Sequence, residues 1–221
     1  QARVFAGVGE IRRSLGDLDA AARAYDEEIA ILERLRALDA TDRRLPRDLA
    51  IAYRNRGLPE RLRGHVAEAS RLLDRAVALH AEIERSGTMT RDDRRAYAET
   101  LYSYGTLLLG SDSERSRTSL EGALEQQQRS GAFAEGASPP ASIEERTQRA
   151  SILNMLVSSL ADVGRVDDSI AAYRDAIDEL ERLRSELDQR PDVKFELAGV
   201  QLNLGTMLDM QRPQLAEREY L

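Results

Sequence analysis

The sequence predicts an all-α fold, an α-α superhelix (solenoid) of about five antiparallel helix pairs. Residues 24–36 return 148 positions later as residues 172–184, with eight of thirteen residues identical, and turn signals recur at intervals of about 48 residues. Between the turns, apolar residues recur at i, i+3 and i+4, which is the spacing of one helix face. No stretch alternates at period two, as a strand would. Repeated units of this kind stack side by side and build an extended surface, which favours a binding function.

The turns divide the chain into units. Gly16, Gly64 and Gly164 each end one apolar pattern before another begins, and glycine suits the left-handed residue that closes a helix. The segments Ser111–Ser113 and Gln211–Pro213 stand at the equivalent places without glycine, so the intervals are 48, 48, 52 and 48 residues. The predicted units are residues 1–40, 41–88, 89–130, 142–190 and 191–221, the last incomplete, with a loop over 130–141.

Each predicted helix has its own apolar stripe and, in several cases, a start signal. Thr90 with Asp93 can cap one helix, and Ser142 with Glu145 forms a capping-box pattern directly after the loop that contains Pro139 and Pro140. The stripes predict helices over 18–38, 66–83, 94–109, 115–128, 147–163, 166–187 and 193–210.

The composition excludes several classes of protein. Apolar residues make up 42% of the chain and charged residues 32%, as expected when many helices each keep one solvated face. The net charge of −7 argues against nucleic-acid binding. The chain has no cysteine, which excludes disulfides, and we expect a cytoplasmic location. No apolar run approaches the ~18–20 residues of a membrane span, so we expect no membrane contact from these residues.

Small residues, together with a tyrosine or leucine, recur at fixed places within the units. The set is Gly9, Gly16, Ala21 and Tyr25 in unit one; Gly57, Gly64, Ala69, Leu73 and Ala76 in unit two; Gly105, Leu120 and Ala123 in unit three; Gly164, Tyr173 and Ala176 in unit four; and Gly205, Ala216 and Tyr220 in unit five. This pattern resembles the tetratricopeptide (TPR) repeat. The resemblance implies close helix pairs, with an aromatic ring filling the hole between them. The period of 48 exceeds the roughly 34 residues usual in that family. The longer period resembles that of arrays attached to bacterial serine/threonine kinases and large regulators. No kinase signature is present.

The resemblance also implies a binding surface. In tetratricopeptide arrays, residues around the Leu-Gly pair of the first helix of each unit line a concave groove. By that register, the candidate partner-binding residues are Arg54, Asn55, Arg61, Tyr102, Thr106, Asn154, Ser158, Asn203 and Thr206. Polar residues within an apolar helix are costly to bury, so we expect them to face water or a ligand. The alternative is an ordinary solvated face.

One block of positive charge lies in the second unit. Residues 34–63 hold nine Arg against four acidic residues, a local net charge of +5. Arg54 and Arg61 are seven residues apart, about two helical turns, so they lie on one helix face. Guanidinium groups in this arrangement are a candidate site for an acidic segment or a phosphate of a partner. A solvated face with ion pairs to neighbouring helices is the alternative.

Catalytic and metal chemistry is not predicted. Gly7 and Gly9 are followed by Arg12 where a dinucleotide-binding loop needs glycine. His65 and His80 lack carboxylates at the spacing of metal ligands. We expect His65 to be an exposed turn residue and His80 to lie on a helix face. No metal site or cofactor is therefore expected. The predicted function is a non-catalytic scaffold, a fragment of a larger signalling protein, that binds a partner protein or peptide. A structural array that self-associates through its open ends, and an enzyme with a site of scattered residues, are the alternatives.

Overall fold

The computed structural model describes residues 1–186 together with Gly199, Leu202 and Gly205. Within these residues it contains eight α-helices and no strand. The helices are α1 (Ala2–Ser14), α2 (Leu18–Leu38), α3 (Arg44–Leu62), α4 (Val66–Arg85), α5 (Arg91–Leu108), α6 (Ser113–Arg129), α7 (Ile143–Asp162) and α8 (Val166–Glu186). The all-α prediction is confirmed for this part of the chain. The predicted helix over 193–210 lies outside it, except for the three named residues, which are helical.

Glycine in the left-handed conformation ends α1, α3 and α7, as predicted. At the first of these turns Gly16 has φ of +79°, a value that a side chain would strain. The N–H of Asp17 reaches back across the turn to the carbonyl of Arg12 at 2.9 Å. Hydrogen bonds of this kind satisfy carbonyl groups that the helix end leaves unpaired. The turns at Gly64 and Gly164 repeat the same pattern, with φ of +77° and +78°.

The turn between α5 and α6 differs from the prediction. Gly110 has φ of +75° and takes the left-handed role here, although the repeat spacing placed this turn at a segment without glycine. Asp112 then caps α6, because its side chain accepts a hydrogen bond from the N–H of Arg115 at 3.1 Å. Two residues separate Gly110 from α6, whereas one residue separates the glycine from the next helix at the other three turns. Gly110 therefore does not fall at the position that the repeat spacing predicts for a glycine.

Two of the predicted helix starts are confirmed in detail. The Ser142 hydroxyl accepts from the N–H of Glu145 at 3.2 Å, and the Glu145 carboxylate accepts from the N–H of Ser142 at 2.8 Å. Thr90 and Asp93 exchange the equivalent bonds, at 2.9 and 3.2 Å, before α5. Each pair satisfies two N–H groups that a helix start leaves free. The predicted loop lies between α6 and α7.

The described helices belong to two compact units, residues 1–107 and 108–221. In the first unit, α1 packs on α2 at Gly9, where a Cβ atom would lie 2.6 Å from the ring of Tyr25. Only glycine permits this approach, because real Cβ atoms do not come so close to another atom. Gly57 of α3 faces Ala69 and Leu73 of α4 at ordinary contact distances near 3.7 Å for an added Cβ.

The core of the first unit is continuous across α2, α3 and α4. Small and branched side chains fill it, and alanines stand where helices approach most closely. Its buried members are Ile29, Leu32, Leu45, Leu49, Ala50, Ala52, Tyr53, Ala76 and Leu79.

In the second unit, buried hydroxyl groups accompany the packing of α7 against its neighbours. Ser116 of α6 and Ser159 of α7 lie with their hydroxyl oxygens 2.7 Å apart. The hydroxyl of Ser169 in α8 donates to the carbonyl of Val157 at 3.0 Å. Ser169 stands where units one and two have Ala21 and Ala69, and this bond compensates the burial of its hydroxyl.

Candidate functional site

A groove opens between α2, α3 and α4 of the first unit, with a volume of about 580 Å³. Its floor is apolar, because Leu49 and Leu79 are buried there. Ala37 and Ala78 are exposed and too small to fill the space between the helices. The full lining is Glu33, Arg36, Ala37, Ala40, Leu49, Tyr53, Arg75, Ala78 and Leu79. We call this surface the α2–α4 groove.

Tyr53 is the fixed aromatic residue of the α2–α4 groove. Its hydroxyl donates a hydrogen bond to the Glu33 carboxylate and accepts one from Nη1 of Arg75 at 3.2 Å. The guanidinium carbon of Arg75 lies 5.4 Å from the centre of the Tyr53 ring, within the range of a cation–π contact. Burial and the Glu33 hydrogen bond raise the pKa of Tyr53, so the hydroxyl stays protonated. The groove is therefore preformed around one oriented ring.

Two charges at the rim of the groove are open to a ligand. Arg36 is already neutralised, because its Nη2 lies 2.6 and 2.8 Å from the two carboxylate oxygens of Glu82. Among the described residues, Arg75 has no carboxylate partner and Glu33 no cationic one. Both groups bond the Tyr53 hydroxyl, so one cation and one anion lie together beside the apolar floor, an arrangement suited to a peptide segment of mixed character.

A second hollow of about 210 Å³ adjoins the groove through Ala40. It is formed by the α2–α3 connection and the end of α4. Asp42 in this connection is held by the Arg44 side chain, which lowers the pKa of the carboxyl to about 2. The connection is thus ordered by its own charges, and the hollow extends the surface along which a peptide can lie.

Of the sequence-predicted residues of α3, Arg54 contacts α5. Arg54 has only 15% of its side chain exposed and is paired with the Glu99 carboxylate of α5. Asn55 is half-buried, and its Oδ1 lies 3.5 Å from Nη2 of Arg54. Arg61 is exposed, and no carboxylate partner is found for it within the described ranges. Of the two guanidinium groups predicted to receive an acidic segment, Arg61 alone is available.

The other predicted residues are divided between the two units. Tyr102 and Thr106 of α5 are half-buried in the first unit, and the Thr106 hydroxyl donates to the carbonyl of Ser103 at 3.0 Å. Asn154 and Ser158 of α7 are half-buried in the second unit. The Oδ1 atom of Asn154 is buried without a hydrogen-bond partner among the described residues. Asn203 and Thr206 lie outside the described residues.

Sequence reasoning missed the α2–α4 groove. Three of its four polar members, Glu33, Tyr53 and Arg75, come from three different helices, and no spacing along the chain relates them. The local net charge of residues 34–63 drew attention to this region. It could not distinguish paired from available guanidinium groups, because pairing depends on which helices are neighbours.

His80 is a core residue. It is fully buried, its ring stacks on Tyr97 at 4.9 Å, and its Nε2 lies 3.1 Å from the Thr100 hydroxyl. That hydroxyl donates to the carbonyl of Ala96, so Nε2 is the donor to Thr100. Burial, with a smaller effect of Arg54, lowers the pKa of His80 to about 4, and the ring is neutral near pH 7.

No group of three or more metal-ligating side chains comes together in the part of the chain that the structure describes. His65 is exposed, as predicted, and its Nδ1 lies 2.8 Å from Oε2 of Glu60. Of the helices described, none is long and apolar enough to cross a membrane. The sequence matches no known family profile, and no curated protein matches it significantly.

Proposed function

We propose that the chain is a non-catalytic interaction module, a superhelix of tetratricopeptide-like helix pairs that binds a peptide or helix of a partner protein. The close contact of Gly9 with Tyr25 supports the repeat assignment, since a small residue facing an aromatic ring is what the resemblance implies. The repeated left-handed glycines at Gly16, Gly64 and Gly164 support it as well. Membership of a signalling protein and a cytoplasmic location remain predictions.

The α2–α4 groove carries this proposal. A partner segment places an apolar side chain on the floor formed by Leu49 and Leu79, where burial of a Leu-sized side chain is worth roughly 1.5–3 kcal/mol. A carboxylate of the partner pairs with Arg75, and a cation pairs with Glu33. Tyr53 needs no rearrangement, because Glu33 and Arg75 already hold its hydroxyl. Such preorganisation lowers the cost of binding.

The test uses peptides selected from a random display library against the whole chain. Two single variants, Ala37→Trp and Ala78→Trp, fill the groove from exposed positions. Ala171→Trp, at an exposed alanine of α8, is the matched control. We expect the groove variants to weaken binding of the selected peptides about tenfold or more, and the control to leave it unchanged. Peptides that bind all four proteins equally would show that the groove is not the site.

The acidic partner segment predicted from the sequence centres on Arg61. Arg54 is already paired with Glu99, so its replacement would break this ion pair between α3 and α5 as well as affect any ligand. Arg61→Glu is therefore the informative variant, with Arg23→Glu, at another exposed arginine, as the charge-matched control. An acidic peptide bound there should dissociate as salt is raised, because exposed charges are screened over roughly 8–10 Å. Equal affinity for both variants would exclude Arg61.

A structural array that self-associates is the alternative function. Light scattering over a dilution series distinguishes the two, since an interaction module keeps its mass on dilution whereas a self-associating array loses mass.

A further inference from the structure

Helix α1 carries an exposed apolar stripe. Val4, Val8, Ile11 and Leu15 follow one another at spacings of four, three and four residues, so they lie on one helix face. Their exposed fractions are 67%, 40%, 61% and 72%. Gly9, the contact to α2, lies roughly 130° away around the helix at about 100° per residue. Helix α2, which packs on α1 at Gly9, therefore does not cover Val4, Val8, Ile11 and Leu15. We call these four residues the α1 stripe.

A shift of 48 residues brings α1 into register with α3. Gly9 then corresponds to Gly57, and Gly16 to Gly64, with φ of +79° and +77° at the two turns. Both helices also end with the same three backbone hydrogen bonds across the turn. The α1 stripe therefore has an equivalent on α3, which consists of Ala52, Arg56, Pro59 and Arg63.

On α3, this equivalent face is covered by α2. Ala52 is fully buried within a cluster that includes residues of α2. Arg56 Nε lies 2.8 Å from a carboxylate oxygen of Asp26, and Arg63 is paired with Asp19, both on α2. Helix α2 thus lies along α3 and forms two ion pairs with it. The equivalent pairs cannot form on α1, because Val8 and Leu15 replace the two arginines.

Helix α2 also reaches α4, where Arg36 pairs with Glu82 at 2.6 Å. The same shift of 48 residues places the exposed Arg34 of α2 at the position of Glu82, so the charge is reversed. A helix that lay on the α1 stripe as α2 lies on α3 would therefore meet an arginine where α2 meets a glutamate.

We propose that the α1 stripe binds an amphipathic helix of a partner protein in the position that α2 takes on α3. The bound helix has an apolar residue where α2 has Asp19, facing Leu15, and another where α2 has Asp26, facing Val8. It has an acidic residue where α2 has Arg36, facing Arg34. This inference concerns a different surface from the α2–α4 groove and stands whether or not that groove binds a peptide.

A second copy of the chain fits this surface less well. The stripe is about 17 Å long at 1.5 Å per residue and has four apolar side chains, which is a small patch for an interface that needs ~800 Å² per partner. A helix placed like α2 contacts both α1 and α2 and so buries more surface. The reversed charge at Arg34 also requires an acidic residue, and the stripe of a second copy contains none.

The probe is a labelled peptide of residues 17–38 with Asp19→Leu, Asp26→Leu and Arg36→Glu, compared with the unchanged peptide. Binding to the whole chain is followed by fluorescence anisotropy. We expect the changed peptide to bind at least about tenfold more tightly than the unchanged one. The variant Val8→Glu, Ile11→Glu should lose this binding, whereas Leu62→Glu, at an exposed leucine of α3 away from both the stripe and Arg34, should retain it.

A reciprocal variant tests the specificity. Val8→Arg, Leu15→Arg gives α1 the two arginines of α3, and we expect the preference to shift toward a peptide that keeps Asp19 and Asp26. All the substituted positions of α1 are exposed, so circular dichroism should show an unchanged fold. Equal binding of the two peptides, or binding that ignores the stripe variants, would overturn the proposal. So would a chain that dimerises in sedimentation experiments and becomes monomeric in Val8→Glu, Ile11→Glu, because the occupant would then be a second copy.

Discussion

Glu28 offers a sharp test of the packing in the first unit. It lies within α2 with 6% of its surface exposed, and its Oε2 has no hydrogen-bond partner among the described residues. Burial, together with the nearby Asp48 carboxylate, raises the pKa of Glu28 from 4.5 to about 7. Glutamine has the same shape without the charge, so the informative perturbation is Glu28→Gln.

The sign and size of the effect follow from proton linkage. Between pH 4.5 and about 7 the folded state holds the Glu28 proton more tightly than the unfolded chain does. The free energy of unfolding therefore falls as pH rises through this window. At about 1.4 kcal/mol per pKa unit, the shift corresponds to on the order of 3 kcal/mol. At pH 8 we expect Glu28→Gln to be more stable than the parent by up to this amount. At pH 4 the two proteins should differ little, because Glu28 is then protonated.

Urea denaturation followed by circular dichroism at pH 4, 6 and 8 measures this effect. His80 acts in the opposite direction, because its pKa is lowered from 6.5 to about 4 and stability is lost as pH falls through that range. The parent alone therefore shows a mixed pH dependence. The difference between variant and parent at each pH removes the His80 contribution.

Glu27→Gln, at the exposed neighbouring position, controls for loss of one negative charge. We expect that variant to shift stability by less than about 0.5 kcal/mol at any pH. A Glu28→Gln protein that equals its parent at pH 8, or that falls below it there, would refute the raised pKa and the burial on which it rests.

Further predictions concern close helix contacts, each with a control on the same helix or surface. Gly9→Ala should destabilise by about 1–3 kcal/mol, because the added methyl group meets a ring at 2.6 Å, whereas Gly7→Ala, with no atom within 4 Å, should stabilise by about 0.5–1 kcal/mol. Ala76→Leu and Ala176→Leu should each cost about 1–3 kcal/mol, since both alanines are fully buried, whereas Ala78→Leu at an exposed position of α4 should not. Unchanged urea midpoints in Gly9→Ala or in both buried alanine variants would contradict the described packing.

The sequence predicted the helices well because their signals are local. A left-handed glycine such as Gly16 and a capping box such as Ser142 with Glu145 depend on neighbours within one or two turns, which the sequence displays. The groove could not be predicted in this way. Whether Arg75 is available and Arg54 is not depends on carboxylates that lie on other helices.

Glu28 lies between these cases. Shifts of 48 and 148 residues place it in register with Ala76 and Ala176, both of which are fully buried. The repeat itself therefore marks Glu28 as a carboxylate at a buried position normally occupied by a small apolar residue. A comparison of equivalent positions, rather than of spacings, would have revealed it.

The ion pairs between α2 and α3 have a consequence for folding. A chain of similar units can misassemble when a helix docks on the equivalent site of a neighbouring unit, which is a common failure of repeat proteins. Helix α2 has Asp19 and Asp26 for the arginines of α3, whereas the apolar stripe of α1 offers those two carboxylates no cationic partner. The ion pairs therefore favour docking of α2 on α3 over docking on α1. Chemical differences between otherwise equivalent surfaces can in this way reduce misassembly of a repeat chain.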